Sequence, residues 1–115
     1  MDHIASPRLR TETTHGTTVV QFLDKEIKTV FGEANDLEEL GDLLNLLVDQ
    51  GRHDLVLDFR NVEYMCSGFL HTLWGLQERL ADLGGRLRLR GLGPGVLKVF
   101  EVTRMYKRFV IERAA

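Results

Sequence analysis

What the chain lacks bounds its function first. It has one cysteine in 115 residues, Cys66, which excludes an intrachain disulfide framework and points to a reducing compartment. It lacks a surplus of either charge. Fifteen Lys and Arg against 17 Asp and Glu leave a net −2, so no global basic field invites nucleic acid or an anionic membrane. No stretch approaches the roughly 20 apolar residues of a membrane span. Met1 to Pro7 has no long apolar run, so no signal peptide is expected. Internal repeats and low-complexity segments are missing too. Together these absences predict a cytoplasmic protein with neither nucleic acid nor membrane as partner. At 115 residues it is expected to be one domain with a single core.

The patterning that is present predicts an α/β order. Residues 1–7 read as a flexible tail and residues 8–23 as an N-terminal hairpin. Arg8 to Thr14 alternates, His15-Gly16 suits a tight turn, and Thr17 to Leu23 reads as the return strand. Asp24 to Ala34 has no clean period and reads as a loop, with room for a short extended piece near Ile27 to Val30. Asn35 and Glu38 form a capping box. Leu37, Leu40, Leu44, Leu47 and Val48 then recur at helical spacing over 36–49, and Gly51 ends the helix. Leu55 to Phe59 is almost continuously apolar, which predicts a central strand covered on both faces. Phe69, Leu73, Leu76, Leu80 and Leu83 mark a second helix, terminated by Gly84-Gly85. Arg86 to Arg90 alternates strictly and predicts a strand with one face in water. Pro94 opens a short helix over Val96 to Val102, and Phe109 to Ile111 suits a last strand.

Several motifs invite chemistry and have plainer readings. Gly91-x-Gly93-x-Gly95 follows a strand, but a dinucleotide fingerprint needs another strand and an acidic residue about 20 positions on. Only 20 residues follow Gly95, so a strand-to-helix turn is the reading. The four histidines are scattered, and Cys66 with His71 has no second pair to hold a metal. Cys66 suits small, semi-buried packing, although a nearby helix start would favour its thiolate. The Arg86, Arg88, Arg90 stripe suits a solvated sheet face or docking to an acidic partner. Ser67 falls at or beside the second helix's N-terminus, with its hydroxyl reachable from solvent. There a serine caps, and the helix start would also tolerate an added phosphate. A partner docked on that helix start would not tolerate the new charge of about −1.5 to −2.

The run from Leu55 to Met65, followed by Cys66-Ser67-Gly68-Phe69-Leu70, resembles the strand and the "DSsGl" helix start of the STAS domain, the family of bacterial anti-sigma factor antagonists. Gly84-Gly85 falls at the family's spacing. Val99 to Phe109 resembles the family ending, and Gly32-Glu33-Ala34-Asn35 resembles the loop before the first long helix. The resemblance covers about residues 17–113. It implies a STAS-like fold, a mixed sheet of four or five strands with helices mainly on one face. Ser67 takes the place of the phosphoacceptor, Cys66 that of the family's Asp, and Phe69 that of a Gly. Implied site residues are Ser67 as phosphoacceptor, with Met65, Cys66, Gly68, Phe69, Gly32, Asn35 and Asp36 as partner-binding. The implied function is a non-catalytic binding module in a partner-switching pathway, needing no cofactor. Its implied partners are an anti-sigma factor of the serine-kinase kind and a cognate phosphatase, and the chain is expected as a monomer or weak homodimer. Two alternatives stay open: a constitutive STAS scaffold that is never phosphorylated, and a small ligand-binding domain.

Overall fold

The chain first turns back on itself at His15-Gly16. In the computed structural model, which describes residues 6–28 and 36–112, β1 (Leu9–Thr14) and β2 (Thr17–Phe22) pair antiparallel from Leu9 with Phe22 to Thr14 with Thr17. His15 and Gly16 both take positive φ, 52° and 83°, as a two-residue hairpin needs to follow the strand twist. Thr18, Val20 and Phe22 are buried and the residues between them are only partly covered, which fixes the register.

The chain then continues through β3 (Glu26–Ile27), α1 (Asp36–Asp49), β4 (Asp54–Asp58), β5 (Tyr64–Met65), α2 (Gly68–Asp82), β6 (Arg86–Arg90), α3 (Pro94–Val102), a 3-10 turn (Met105–Arg108) and β7 (Val110–Glu112). The main sheet runs in the order β1-β2-β4-β6-β7. Only β1 is antiparallel; β2, β4, β6 and β7 are parallel. Parallel neighbours need crossovers, and the helices supply them. This is a mixed sheet of the four or five strands that the resemblance implies, here with five. Two differences are local. Phe109 does not belong to β7; it packs edge-on against Trp74 of α2 and Phe100 of α3. A second, two-stranded sheet pairs β3 with β5 in parallel, Glu26 with Tyr64 and Ile27 with Met65. Candidate residues Gly32 and Asn35 lie outside the described residues, as do Thr29 and Val30 of the extended piece expected near Ile27 to Val30, whose Ile27 belongs to β3.

Leu40, Leu44 and Leu47 of α1 join Leu73, Leu76 and Leu80 of α2 over Leu55, Leu57, Leu87 and Leu89 of the sheet. The helices cover one face only, yet β4 is covered on both, as expected: Leu55, Val56, Leu57 and Asp58 are all buried. Val56 is 3% exposed yet stands outside that core cluster. It shares the other face with Asp54, Asp58 and the arginines of β6. Ion pairs close this face instead. Asp54 accepts from Thr17 Oγ1 (2.8 Å), Arg86 Nε (3.1 Å) and Arg88 Nη2 (3.1 Å), and Glu112 lies 3.8 Å from Arg88. The arginine stripe is therefore matched by carboxylates from both neighbouring strands, which favours the solvated-face reading over docking to an acidic partner.

α2 ends where the glycines predict. Gly84 has φ 77°, its N–H reaches Ala81, and the Gly85 N–H reaches Leu80 (2.7 Å). That is the paired bonding of a Schellman cap. Gly85 then presses against the His53 backbone, where an added Cβ would overlap the carbonyl. Gly85→Ala should therefore destabilise the fold by about 1–3 kcal/mol, the usual cost of overpacking. The shift in urea midpoint at constant slope measures it, and an unshifted midpoint contradicts the contact.

Candidate functional site

The candidate site is built from the segment between β4 and α2. Asp58, the last residue of β4, has its carboxylate 2% exposed. A buried carboxylate must find donors. It accepts from the Arg60 backbone N–H (3.0 Å), from Arg60 Nε (3.0 Å) and Nη2 (2.9 Å), and from Arg90 Nε (3.3 Å). Burial pushes this carboxyl up. The Arg60 and Arg90 hydrogen bonds more than offset it and hold the pKa below the ordinary 3.8. The clamp bends the chain back at Arg60. The Phe59 N–H meanwhile stays bonded to the Arg90 carbonyl (2.9 Å), and Phe59 packs on Phe22 with ring centroids 4.9 Å apart.

From that bend the segment runs onto the small sheet. Glu63 N–H donates to Lys25 O (2.7 Å) and Cys66 N–H to Ile27 O (2.9 Å). Gly95, at the start of α3, sits under the Glu63 carbonyl with no space for a Cβ. The Gly91-x-Gly93-x-Gly95 run thus serves packing: it brings α3 against this loop. Three separate elements, β3, β6 and α3, therefore fix the backbone that presents Ser67.

Ser67 itself is exposed and already helical, with φ −62° and ψ −25°. Its side chain makes no capping hydrogen bond. The expected cap is absent because a capping residue needs an extended backbone to turn its oxygen onto the first helical N–H groups. Its backbone carbonyl instead accepts from Leu70 N–H (3.0 Å). The hydroxyl therefore points outward on a rigid support.

The other sequence-predicted residues divide. Met65 and Phe69 are fully buried: Met65 is in the core cluster, and Phe69 stacks edge-on with Phe22 at 5.8 Å. Both side chains, expected at the partner surface, face the core instead. Period-2 alternation sends Met65 inward, and the first apolar position of α2 does the same for Phe69. Cys66 is half-buried, and Gly68 lies under Leu37 of α1, 2.9 Å from where its Cβ would be. That contact brings the first turns of α1 and α2 together. Asp36 opens α1 there; its side chain is outside the described residues. Sequence reasoning missed Tyr64, which is 47% exposed beside the site. An aromatic next to a buried methionine in a two-residue strand was the available signal. Among the described residues no three His, Cys, Asp or Glu converge as a metal site, and no helix is long and apolar enough to cross a membrane.

A protein-family model described as "Mlab, STAS domain" matches residues 33–112. No curated protein sequence matches the chain. Solved structures do. An anti-sigma factor antagonist from Mycobacterium paratuberculosis is similar with a TM-score of 0.74 at 22% identity, covering 94% of this chain and 89% of that one. The anti-sigma factor antagonist SpoIIAA in its unphosphorylated form is similar at 0.74 and 19% identity, covering 93% and 88%. The Bacillus cell fate determinant SpoIIAA in the phosphorylated form is similar at 0.66 and 19% identity, covering 93% and 91%. These likenesses are of fold.

Two predictions follow the geometry. Asp58 has a depressed pKa in the folded chain, so its contribution is complete above the unfolded carboxyl value of about 3.9 and is lost as pH falls through the folded value. Asp58→Asn should cost about 1.5–3 kcal/mol at pH 7, the worth of charged hydrogen bonds. The gap to wild type should close as pH falls from about 5 toward 2; a gap independent of pH contradicts the clamp. Ser67→Ala should change stability by less than about 0.5 kcal/mol, because no cap is lost. A loss near 1 kcal/mol would instead indicate a capping serine.

Proposed function

Because the chain belongs to the STAS domain family, we propose that it is a protein-binding module of the anti-sigma factor antagonist kind. It acts by docking, without catalysis and without a cofactor, in a partner-switching pathway of the cytoplasm. The partner is an anti-sigma factor of the serine-kinase kind, and a phosphatase resets the cycle. The observation that carries this reading is the Ser67 hydroxyl: exposed, unused by the helix, and held at the start of α2 by three other elements. A phosphate there would add about −1.5 to −2 charges at the positive end of a helix dipole, so the fold keeps its stability. The same dianion in a closely packed contact would drive the partner off. That a protein of this fold, SpoIIAA, exists in a phosphorylated form supports the reading.

One observation favours a second reading. Cys66 stands where the family has an acid, and its half-buried thiol brings no charge to the site. On this reading the domain is a constitutive scaffold that binds through the same turn and is not phosphorylated. The small-ligand alternative would use the groove of about 990 Å³ between the β6–α3 loop and β7, lined by Leu97, Tyr106 and Ile111 among others.

Ser67→Asp should weaken binding to the cognate anti-sigma kinase at least 100-fold, with the melting temperature unchanged. Incubation with that kinase and ATP should add one phosphate to wild type, by intact mass, and none to Ser67→Ala. Equal affinities for wild type and Ser67→Asp would remove Ser67 as the switch. Binding without phosphate transfer would select the constitutive scaffold.

A further inference from the structure

The main sheet has two edges, β1 and β7, and they differ. β7 has three residues, and its Glu112 already lies 3.8 Å from Arg88. β1 has six, Leu-Arg-Thr-Glu-Thr-Thr, without proline and rich in threonine, which favours extended chain. An exposed edge of that length is a template for another strand unless something blocks it.

The hairpin decides which backbone groups are free. The Leu23 N–H donates to the Arg8 carbonyl (3.0 Å), so Arg8 directs that group at β2. In an antiparallel ladder, positions that face the neighbour alternate with positions that face away. Arg10, Glu12 and Thr14 therefore use their N–H and C=O on β2, opposite Gln21, Val19 and Thr17. Leu9, Thr11 and Thr13 turn theirs to the free edge. Side chains alternate between the two faces with the same period. Leu9 is buried in the core under the helices, so Arg10 and Glu12 stand on the helix-free face. Both are exposed, and among the described residues neither side chain has a hydrogen bond or ion pair.

Charges usually guard an edge. Here they have opposite signs two residues apart, so an antiparallel copy of the same strand matches them. With Thr11 opposite Thr11 of the second copy, each Arg10 lies opposite Glu12 of the second copy. These are the non-hydrogen-bonded pairs, whose side chains come closest. The same register sets Leu9 opposite Thr13 of the second copy, so the outward N–H and C=O groups from Leu9 to Thr13 all find partners. Moving the two-fold axis by one residue sets Arg10 against Arg10 or Glu12 against Glu12, like charges that oppose pairing. Moving it to Leu9 or Thr13 separates both opposite-charge pairs.

We infer that this edge joins two copies of the chain. β1 pairs antiparallel with β1 of a second copy about a two-fold axis at Thr11, and the two sheets become one. The interface is isologous, because each copy contributes the same residues. It does not use the Ser67 turn, which follows β4, two places along the sheet. It therefore goes beyond the binding function proposed above and does not rest on it. A six-residue edge is small against the roughly 1,200–2,000 Å² of a stable interface, so the dimer is weak and forms as concentration rises.

The test is sedimentation of the full chain at low ionic strength over a wide concentration range. The variants are Arg10→Glu, Glu12→Arg and the double swap Arg10→Glu/Glu12→Arg. Both positions are exposed, so melting temperatures should hold. Wild type should pass from monomer to dimer. Each single reversal should weaken self-association at least tenfold, because it sets like charges opposite each other at both pairs. The swap should restore self-association. An equimolar mixture of the two single variants should form a heterodimer, since one carries only acids at these positions and the other only arginines. In hydrogen exchange, the Leu9, Thr11 and Thr13 amides should gain protection with concentration, whereas those of β7 should not. A wild type that stays monomeric at millimolar concentration overturns the proposal. So does a dimer indifferent to the reversals, a pair of single variants that do not associate when mixed, or protection gained at β7 instead.

Discussion

A carboxylate with almost no access to water sits at the end of β4, and the candidate site depends on how it is satisfied. Asp58 stays charged there because Arg60 and Arg90 reach it. Arg60 lies two residues further along the chain, so pairing with it forces the chain to bend. Arg90 lies on the neighbouring strand, so pairing with it ties the bend to β6. Once the bend is placed, the backbone beyond it has one short path back to the helix layer. It takes that path by pairing with β3 and passing under Gly95. The position of Ser67 is thus tied to the burial of one charge at the end of β4, on the fold's polar face, and not only to residues local to the serine.

The sequence was legible where the period was long. The leucine spacing of α1 and α2 and the alternation of Arg86 to Arg90 fix both the type of each element and the face it buries. An extended piece near Ile27 was legible, but β5 and its pairing with β3 were not, because two residues cannot display a period and the partner is 38 positions away, Glu26 against Tyr64. The site was half legible for a related reason. Sequence neighbours of Ser67 were grouped with it, but in a chain leaving a strand and entering a helix, adjacency does not mean a shared surface. Met65 and Phe69 flank the turn in sequence and face the core in space. Residue type suggests a cap at Ser67 and none forms, because capping depends on the backbone angles of the serine, which residue type does not determine.

The net charge of −2 was the least informative number in the chain. It averages two surfaces of different make-up. On the sheet face, arginines of β6 alternate with carboxylates of β4 and β7 and nearly cancel. On the helix side, α1 and α2 carry one arginine against seven acids, and Arg8 and Arg108 reach in from elsewhere, to Glu39 and to the Trp74 ring. Composition reports the sum of such surfaces and is blind to which element carries each sign. The fold separates them because the sheet has helices on one side only.

The two ends of α2 are held by materials of different stiffness. At its far end, Gly85 abuts the backbone of His53, which has no rotamer to change. At its near end, Gly68 abuts the terminal methyl of Leu37, which swings about two soft torsions. The far contact therefore admits no added atom unless backbone moves, whereas the near one can yield by a rotation of Leu37, so the two ends of α2 tolerate change unequally.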